Sequence, residues 1–383
     1  MNLKRVIIVA FASTLSACGT LYPGSDPKIM AEAIEEKNKL LEAVISEWAP
    51  ERAKKFDTWK LSHENSESLI RSLELETREG SISENSPTSE ESVVYSNLSR
   101  IEIWDGSYAP LMIAVPGGEF SIGGTDKLAF DREAPRRKIK LSRPFFVSKY
   151  PITVGEFAYF ARETGYKSET GIKGCLYNYF MWQIGAEHGW AYPGYAQSFD
   201  YPAVCINKHD ATAYAAWLSE KTKQAYRLLT ESEYEWAASG GRDSVYPWGD
   251  EFENGKANCS VRGTEGVKPV GSYEPNGFGL YDMVGGPMTF VADCYTEDYT
   301  VLPSDGRAVT SGKPAGGLVG RLTGTDKPNE CLSSMRGGSW WVIGVSRYEL
   351  YDCTNALRVS HRGFGNINSR NFAVGLRLAR EIP

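Results

Sequence analysis

Cysteine is the residue type with the widest chemical range in this chain, which has 7 cysteines among 383 residues. Thiolates attack substrates, bind soft metals and exchange disulfides, and CxxC pairs do so in zinc ribbons and thioredoxin-like sites. No CxxC pair occurs here, so neither kind of site is indicated. The cysteines after Cys18 are Cys175, Cys205, Cys259, Cys294, Cys331 and Cys353. An even number in an oxidising compartment predicts disulfides, and we expect at least two.

Histidine is the second residue type that could do chemistry, and the chain has 4 of them. A non-heme iron site needs two histidines and a carboxylate that converge on one face. His209, Asp210 and His361 are the candidates for such a site, where they would serve an oxidase. No HxD or HxxxE spacing supports it, and His209 falls where a helix over 211–224 begins. The alternative is that His209 simply lies at a helix start, and we expect neither iron nor copper.

Other familiar catalytic motifs are absent from the sequence. It contains no GxSxG elbow, no P-loop and no HExxH pair, so serine-hydrolase, nucleotide and zinc-protease chemistry is not indicated. The formal net charge is -6, which gives no reason to expect nucleic acid as a partner.

The first residues predict export and lipidation. Lys4 and Arg5 precede a short apolar run, and the small residues of "LSAC" end at Cys18. This pattern is typical of a signal peptide over 1–17, and "LSAC" resembles the bacterial lipobox, in which the cysteine is lipidated. A chance cysteine after an ordinary signal peptide is the alternative. Gly19 is not the Asp associated with inner-membrane retention, so we expect an outer-membrane lipoprotein facing the periplasm, with the inner membrane or the cell surface as alternatives.

Between the anchor and the main domain the sequence predicts a helical stalk over 18–78. Asp26 and Pro27 form a helix start, and apolar residues follow helical spacing up to Pro50. A second helix is expected from Pro50 towards Leu75. Its face would pack on the main domain or, alternatively, on a partner as a coiled coil. Residues 79–100 are rich in Ser, Glu and Asn and predict a flexible linker.

The residue pattern of the sequence changes at about Ile101, where a domain over 101–383 is expected to begin. Short apolar stretches are broken by Gly, Pro and Asn, with few convincing helices. One helix is expected over 211–224, and Thr230 with Glu233 forms a capping box that opens another.

An ordered set of motifs in this domain carries a resemblance. They include "MIAVPGGEFSIGG", "YRLLTESEYEWAASGG", "YPWGD", "KPVGSYEPNGFGLYDMVG", "MRGGSWW" and "GLRLAR". In this order they resemble the formylglycine-generating enzyme family, also called the sulfatase-modifying-factor domain. The resemblance covers residues ~110–380 and implies an α+β fold, a variant of the C-type lectin fold with little regular secondary structure.

The resemblance also implies where the catalytic cysteines of the enzymes would lie, and this chain has other residues at those two positions. The enzymes oxidise a sulfatase cysteine with two redox cysteines that lie two and seven residues past the aromatic of the RGGS motif. Counted from Trp340, these positions hold Val342 and Arg347. Neither side chain can form a thiolate, bind copper or exchange a disulfide. We therefore expect that the family's own reaction is lost.

A calcium motif of the family is altered as well. After "NGFGLYDMVG" the family places an Asn and a Glu that support a calcium site, whereas this chain has Gly286 and Thr289. Calcium depends on such oxygens. Asn258 matches an Asn of the other family site, so residual calcium binding is one interpretation and a turn residue is the other.

The region after the RGGS motif is where the family binds its substrate. The resemblance implies a binding groove whose candidates here are Trp341, Arg347, Tyr348, Tyr351 and Arg362. Trp, Tyr and Arg anchor interfaces when exposed. The alternative for the arginines is pairing with internal carboxylates or carbonyls. The fold implied by the resemblance also brings together the motifs near Cys294 and Cys331, and we expect these two to pair.

Three functional hypotheses follow. The first is a non-catalytic or regulatory binding protein, anchored to the membrane by lipid and engaging an envelope protein partner, because relatives of this kind are associated with envelope and secretion machineries. The second is an oxidase or tailoring enzyme that uses His209, Asp210 and His361. The third is a displayed lectin-like module that binds a ligand.

Overall fold

The computed structural model describes most of the domain and part of the region before it. The described residues are 35, 37–63, 101–124, 126–167, 175–178, 183–185, 189–193, 195, 197–261, 266–312, 331–342, 344–345 and 350–382. None of the helices in these ranges is both long enough and apolar enough to cross a membrane. The predicted leader, Cys18 and the linker 79–100 lie outside the described residues.

The helices are short, and the domain's three main ones begin at capping boxes. Their bounds are α1 Ala49–Ser62, α2 Val154–Thr164, α3 Lys208–Thr222, α4 Glu231–Ser239 and α5 Cys353–Ala356. In α2, α3 and α4 the N-cap side chain accepts from the N3 backbone, and the N3 carboxylate accepts from the N-cap backbone. Two otherwise unsatisfied N–H groups are thereby paired at each start.

The strands are also short, and most belong to two sheets. Their bounds are β1 Glu102–Ile103, β2 Met112–Val115, β3 Gly118–Ile122, β4 Arg137–Leu141, β5 Phe145–Ser148, β6 Cys175–Asn178, β7 Gln183–Gly185, β8 Tyr226–Leu228, β9 Ser260–Val261, β10 Met288–Cys294, β11 Ser333–Arg336, β12 Trp341–Val342, β13 Gly344–Val345, β14 Leu350–Tyr351, β15 Arg362–Gly365, β16 Val374–Gly375 and β17 Leu378–Glu381. One sheet has the order β1-β2-β5-β17-β8 and the other β15-β11-β10-β16. Four two-stranded ladders complete the described pairing.

Two large apolar clusters hold these elements together. In the first, Phe157 and Phe160 of α2 pack on Tyr214 of α3, with ring centroids 5.8 and 5.5 Å apart. The second lies on the other side of the five-stranded sheet, because residues next to each other on a strand, such as Ile113 and Ala114, face opposite clusters. It joins that sheet to α4 and to β10.

The helix before the domain packs on it rather than extending away as a stalk. Val44 is fully buried, and Trp48 lies 6.3 Å from Tyr159 between ring centroids. Arg52 donates to the carbonyls of Ser107 and Ala109 at 2.8 and 2.9 Å and pairs with Glu156. Its guanidinium lies 5.1 Å from the Trp48 ring and 4.9 Å from the Trp104 ring. The packing on the main domain that the sequence left open is therefore the observed arrangement.

The two helices predicted in the domain are confirmed, whereas the boundary expected at Pro50 is wrong; the predicted helix start at Asp26 and Pro27 lies outside the described residues. The helix expected at 211–224 begins earlier, at Lys208, and the helix predicted from Thr230 and Glu233 is α4. The chain does not break at Pro50, because a π-helical turn over Val44–Trp48 precedes α1 and Pro50 lies in the first turn of α1. The π-helical turn changes the hydrogen-bond register just before the residue that lacks an N–H, and the helix continues through it. α1 ends at Ser62, and residues 64–75 lie outside the described residues.

Candidate functional site

The RGGS motif forms the turn from which the candidate groove begins. Gly337 has a φ of +99° and Gly338 a φ of +61°, both in the region that favours glycine. A Cβ on Gly338 would lie 1.9 Å from the Ala356 carbonyl oxygen. Trp340 follows the turn and is buried, in T-shaped contact with Phe372 at 5.5 Å. Trp340 is therefore a core residue, as predicted, and the turn directs the chain from the sheet to the segment after it.

After Trp340 the backbone forms a short parallel ladder. Trp341 and Val342 in β12 pair with Ser260 and Val261 in β9. Val342 thus lies in a strand at the first position where the enzymes carry a redox cysteine. The backbone of Tyr351 lies in β14. Arg347 and Tyr348 lie outside the described residues. The groove assignment of Trp341, Arg347, Tyr348 and Tyr351 stays a prediction.

Each of the six cysteines after Cys18 is in a disulfide. The bonds join Cys175 to Cys205, Cys259 to Cys353, and Cys294 to Cys331. The third is the pair expected from the sequence. Cys259 immediately precedes β9, so the second bond joins the ladder of Val342 to α5. Cys353, the cysteine nearest in sequence to Val342 and Arg347, is therefore in a disulfide and has no free thiol.

Arg362 was assigned to the binding groove, and this assignment is wrong. Its side chain is fully buried, and its Nη2 donates to a Glu231 oxygen at 2.8 Å. A second Glu231 oxygen lies 2.7 Å from its Nε. A buried guanidinium needs such a carboxylate to offset its loss of hydration. The guanidinium therefore stabilises the interior and does not face a ligand.

The other recurring arginines of the C-terminal part are also structural. Arg336 pairs with Glu231 and Glu235, and Arg358 with Glu133. Arg370 lies 2.9 Å from Asp210, and Arg377 donates to the backbone carbonyls of Ser148 and Tyr281. Internal pairing, the alternative interpretation of the arginines, is thus confirmed for these four residues and for Arg362.

The histidine and carboxylate candidates do not form a common site. Asp210 is buried, accepts from Arg370 at 2.9 and 3.1 Å and completes the capping box of α3, so its oxygens are used. His209 lies in the first turn of that helix, with its Nε2 3.1 Å from the Asn368 side-chain oxygen. His361 is buried, and burial beside Arg358 lowers its pKa well below the usual value. Among the described residues no group of three or more His, Cys, Asp or Glu side chains is arranged to hold a metal.

The two changed positions of the calcium motif have partners inside the protein. The Gly286 carbonyl accepts from the Trp340 backbone at 3.0 Å, and the Thr289 side chain is hydrogen-bonded to Tyr234. Neither side chain carries the amide or carboxylate oxygen that the family motif offers to calcium. Asn258 donates through Nδ2 to the Gly266 carbonyl at 3.3 Å, which closes a loop whose residues 262–265 lie outside the described ones. Its role as a calcium ligand stays a prediction.

The sequence did not reveal a pair of titratable groups near β10, the half-buried Lys208 and the buried Asp293. Lys208 donates to the Ala292 carbonyl and the Ser333 hydroxyl at 2.9 Å, and burial lowers its pKa to about 8. Asp293 accepts from the backbone of Glu231 at 2.7 Å and of Val309 at 2.8 Å. Burial and the Glu231 carboxylate raise its pKa to about 7. No motif marked these residues, because only the packing of α3 and α4 on β10 buries them.

Comparison with known proteins gives the family. A model of the sulfatase-modifying factor enzyme 1-like domain matches residues 105–382. The formylglycine-generating enzyme of Thermomonospora curvata is 31% identical over 247 residues, 54% of this chain and 79% of that protein. The inactive C-alpha-formylglycine-generating enzyme 2 of Bos taurus is 30% identical over 220 residues, 48% of this chain and 71% of that protein.

A solved structure agrees in fold. PvdO from Pseudomonas aeruginosa superposes with a TM-score of 0.59 at 30% identity, covering 73% of this chain and 97% of that one. The resemblance inferred from the motifs, and the mixed α+β fold that it implied, are both confirmed. The chain belongs to the family of sulfatase-modifying factor enzyme 1-like domains, which includes the formylglycine-generating enzymes.

Proposed function

We propose that this protein is a non-catalytic binding or regulatory module of the bacterial envelope, in which the scaffold of the enzymes is kept and their redox chemistry is lost. One observation carries the proposal. Val342 and Arg347 occupy the positions of the two redox cysteines, and each cysteine after Cys18 is in a disulfide. The family's oxidation of cysteine needs a thiolate, which valine and arginine cannot form.

The buried residues near the RGGS motif also support the loss of the redox reaction. The buried charges close to the RGGS motif, Arg336 and its partners Glu231 and Glu235, are bonded to one another. None of them faces a groove as an acid or base. The Bos taurus relative, which is named inactive, shows that loss of activity occurs within this family.

Lipid anchoring at Cys18 and a periplasmic location at the outer membrane are part of the proposal. Three disulfides suit an oxidising compartment. The helix packed on the domain through Arg52 would hold the domain close to the end of its tether. The partner is an envelope protein that contacts the segment after Trp340, where Trp341, Arg347, Tyr348 and Tyr351 lie.

A formylglycine assay tests the loss of activity. The purified protein is incubated with a sulfatase-motif peptide and copper, with the Thermomonospora curvata enzyme as positive control, and the peptide is analysed by mass spectrometry. We expect the peptide to keep the mass that it has with an unmodified cysteine. Conversion of cysteine to formylglycine above the no-enzyme background would overturn the proposal.

Two further measurements test anchoring and binding. Metabolic labelling with palmitate should label the wild-type protein and leave the Cys18→Ser variant unlabelled, and the wild type should fractionate with outer membranes. A photo-crosslinker placed at Tyr348 should yield one defined adduct in intact cells, and the same group at the exposed Val301 should not yield it. Identical adducts from the two positions would contradict a partner at the groove.

A further inference from the structure

A separate cavity lies on the side of the domain formed by β3 and the turn after α4. Its volume is about 350 Å³, within the range of small-ligand pockets. β3, the loop after it, the end of α4 and the loop that follows supply most of its walls, and Val359 and Ser360 close it. None of the described residues between 331 and 353 lines it. Its described walls therefore come from other segments than the one to which the proposed function refers.

One wall of the cavity is aromatic. The rings of Phe120 and Trp236 are stacked with centroids 5.2 Å apart and an interplanar angle of 28°. The Trp236 indole nitrogen donates to the Pro116 carbonyl at 2.8 Å, which fixes the orientation of the ring. Both side chains are half-buried. A fixed indole ring with part of its surface exposed is the surface over which cations bind best.

The remaining lining has an excess of negative charge. Its carboxylates are Glu119, Asp126, Glu235, Asp243 and Asp250, and its cations are Arg136 and Arg242. Within this set Arg136 is paired with Asp243, and Glu235 is bonded to Arg336 and to the Gly123 backbone. Glu119 is paired with Lys140 at 3.1 Å. These three carboxylates are therefore already neutralised.

Asp126 and Asp250 are the carboxylates left to meet a ligand. One oxygen of Asp250 accepts from the Val245 backbone at 3.2 Å, and its other oxygen has no partner among the described residues. Asp126 accepts from the Leu128 backbone at 2.7 Å, and its second oxygen lies 3.4 Å from Arg358. The latter distance is long for a charge-assisted hydrogen bond. Each carboxylate thus has its orientation set by the backbone and keeps capacity for a further donor.

An indole ring and two oriented carboxylates in the lining of one cavity are the groups that recognise a guanidinium or an ammonium group. We propose that this cavity binds one cationic group, preferentially a guanidinium, stacked on Trp236 and held by Asp126 and Asp250. A guanidinium is favoured over an ammonium because it is planar and can bind a carboxylate with two donors while its face lies on the ring. The volume admits one such side chain or one small molecule of the same chemistry.

The test uses the full-length protein in detergent and three probes: N-acetyl-arginine amide, its neutral isostere N-acetyl-citrulline amide, and the peptide acetyl-Gly-Arg-Gly amide. Binding is followed by calorimetry and by Trp fluorescence at low salt. We expect the arginine probe to bind at least about tenfold more tightly than the citrulline probe, since only the cation gains from the carboxylates. Tighter binding of the peptide would identify a polypeptide segment as the source of the group, and equal binding a small guanidine. Either result supports the site.

Variants separate a built site from general attraction to an acidic protein. Asp250→Asn and Asp126→Asn each remove one charge and keep the oxygen that accepts from the backbone, so the fold should persist. Each should weaken the arginine probe about tenfold. Glu253→Gln removes a charge from an exposed residue that does not line the cavity, and it should change binding less than about twofold. Equal binding of the arginine and citrulline probes, or equal losses in Asp250→Asn, Asp126→Asn and Glu253→Gln, would overturn the proposal.

Discussion

Arg358 and Glu133 form a bidentate ion pair with no exposure to solvent, although 225 positions separate them in the chain. The guanidinium donates to the two carboxylate oxygens at 2.5 and 2.8 Å. Both side chains have 0% exposure. The pair joins the loop after β3 to the segment before β15. Removal of Glu133 would leave the buried guanidinium with only the longer contact to Asp126, at 3.4 Å.

Glu133→Gln is therefore expected to destabilise the protein by about 3–5 kcal/mol, the cost of breaking a buried ion pair by removing one partner. Urea unfolding followed by fluorescence measures it. Glu119→Gln is the matched control, because Glu119 pairs with Lys140 at the surface, with side-chain exposures of 69% and 61%. The control should cost less than about 1 kcal/mol. Equal losses in the two variants would contradict the prediction.

Asp293 should give stability a pH dependence of defined sign. Its folded pKa is raised to about 7, chiefly by burial, whereas an unfolded aspartate titrates near about 3.9. Between these values the folded state keeps a proton that the unfolded state has lost. The free energy of unfolding attributable to Asp293 therefore falls as pH rises, by at most about 1.4 kcal/mol per pH unit.

The variant Asp293→Asn cannot titrate and tests this dependence. The free energy of unfolding of wild type should fall more steeply than that of the variant over about pH 5 to 7. The comparison uses slopes, because the amide also loses one of the two backbone hydrogen bonds that Asp293 accepts from Glu231 and Val309. Parallel curves for the two proteins would show that Asp293 does not titrate in this range.

Gly338 should be intolerant of a methyl group. Its Cβ would lie 1.9 Å from the backbone oxygen of Ala356, and its φ is +61°. Gly165 has a φ of +64° with no atom within 4 Å of its Cβ position in the described part of the chain. Gly165→Ala should lower the free energy of unfolding by about 1 kcal/mol, the cost of a left-handed backbone conformation for alanine. Gly338→Ala should cost at least about 2 kcal/mol more, since a packed backbone must move. Similar melting temperatures for the two variants would contradict this.

The disulfides should contribute in the order of the loops that they close. Cys259–Cys353 spans 94 residues and Cys175–Cys205 spans 30. Replacement of both cysteines by serine should cost about 1 kcal/mol more for the longer loop, if restriction of the unfolded chain dominates. Chemical denaturation of the two double variants measures the difference. Alkylation of the unfolded, unreduced wild type should find no free thiol among the six cysteines after Cys18.

Arg52 should hold the N-terminal helix on the domain. Arg52→Ala removes hydrogen bonds to two carbonyls and the pair with Glu156. Hydrogen exchange should accelerate across α1 and change little in α4. The control Lys54→Ala lies on an exposed position of the same helix and should leave the exchange rates as in wild type. If the two variants exchange alike, the helix is held by its apolar contacts alone.

The sequence predicted local features well and burial poorly. The capping box of Thr230 and Glu233 predicted a helix because both partners lie within one turn. The same motif at Asn207 and Asp210 was missed, and Asp210 was assigned to a metal site, because Asn with Asp at these positions is a less familiar pair than Thr with Glu. The family motifs predicted the fold. They also predicted the Cys294–Cys331 bond, because the family fold brings together the motifs near these two cysteines.

The error at Arg362 has a different cause. Its partner Glu231 lies 131 positions earlier in the chain, and no local pattern shows that the two meet. An arginine near a family groove was therefore taken as exposed. The cavity beside Trp236 was not predicted from the sequence for the same reason, since its walls come from segments that are distant in the chain.

The position of the buried ion pairs has a consequence for how this domain can diversify. Arg336 precedes the segment 341–351, and Arg358 and Arg362 follow it, so these three buried arginines and their ion pairs flank the segment. If the segment is the binding surface proposed above, substitutions at its side chains should change what it recognises while these ion pairs are kept. The proposed surface could then evolve, or be engineered, with little change to the scaffold.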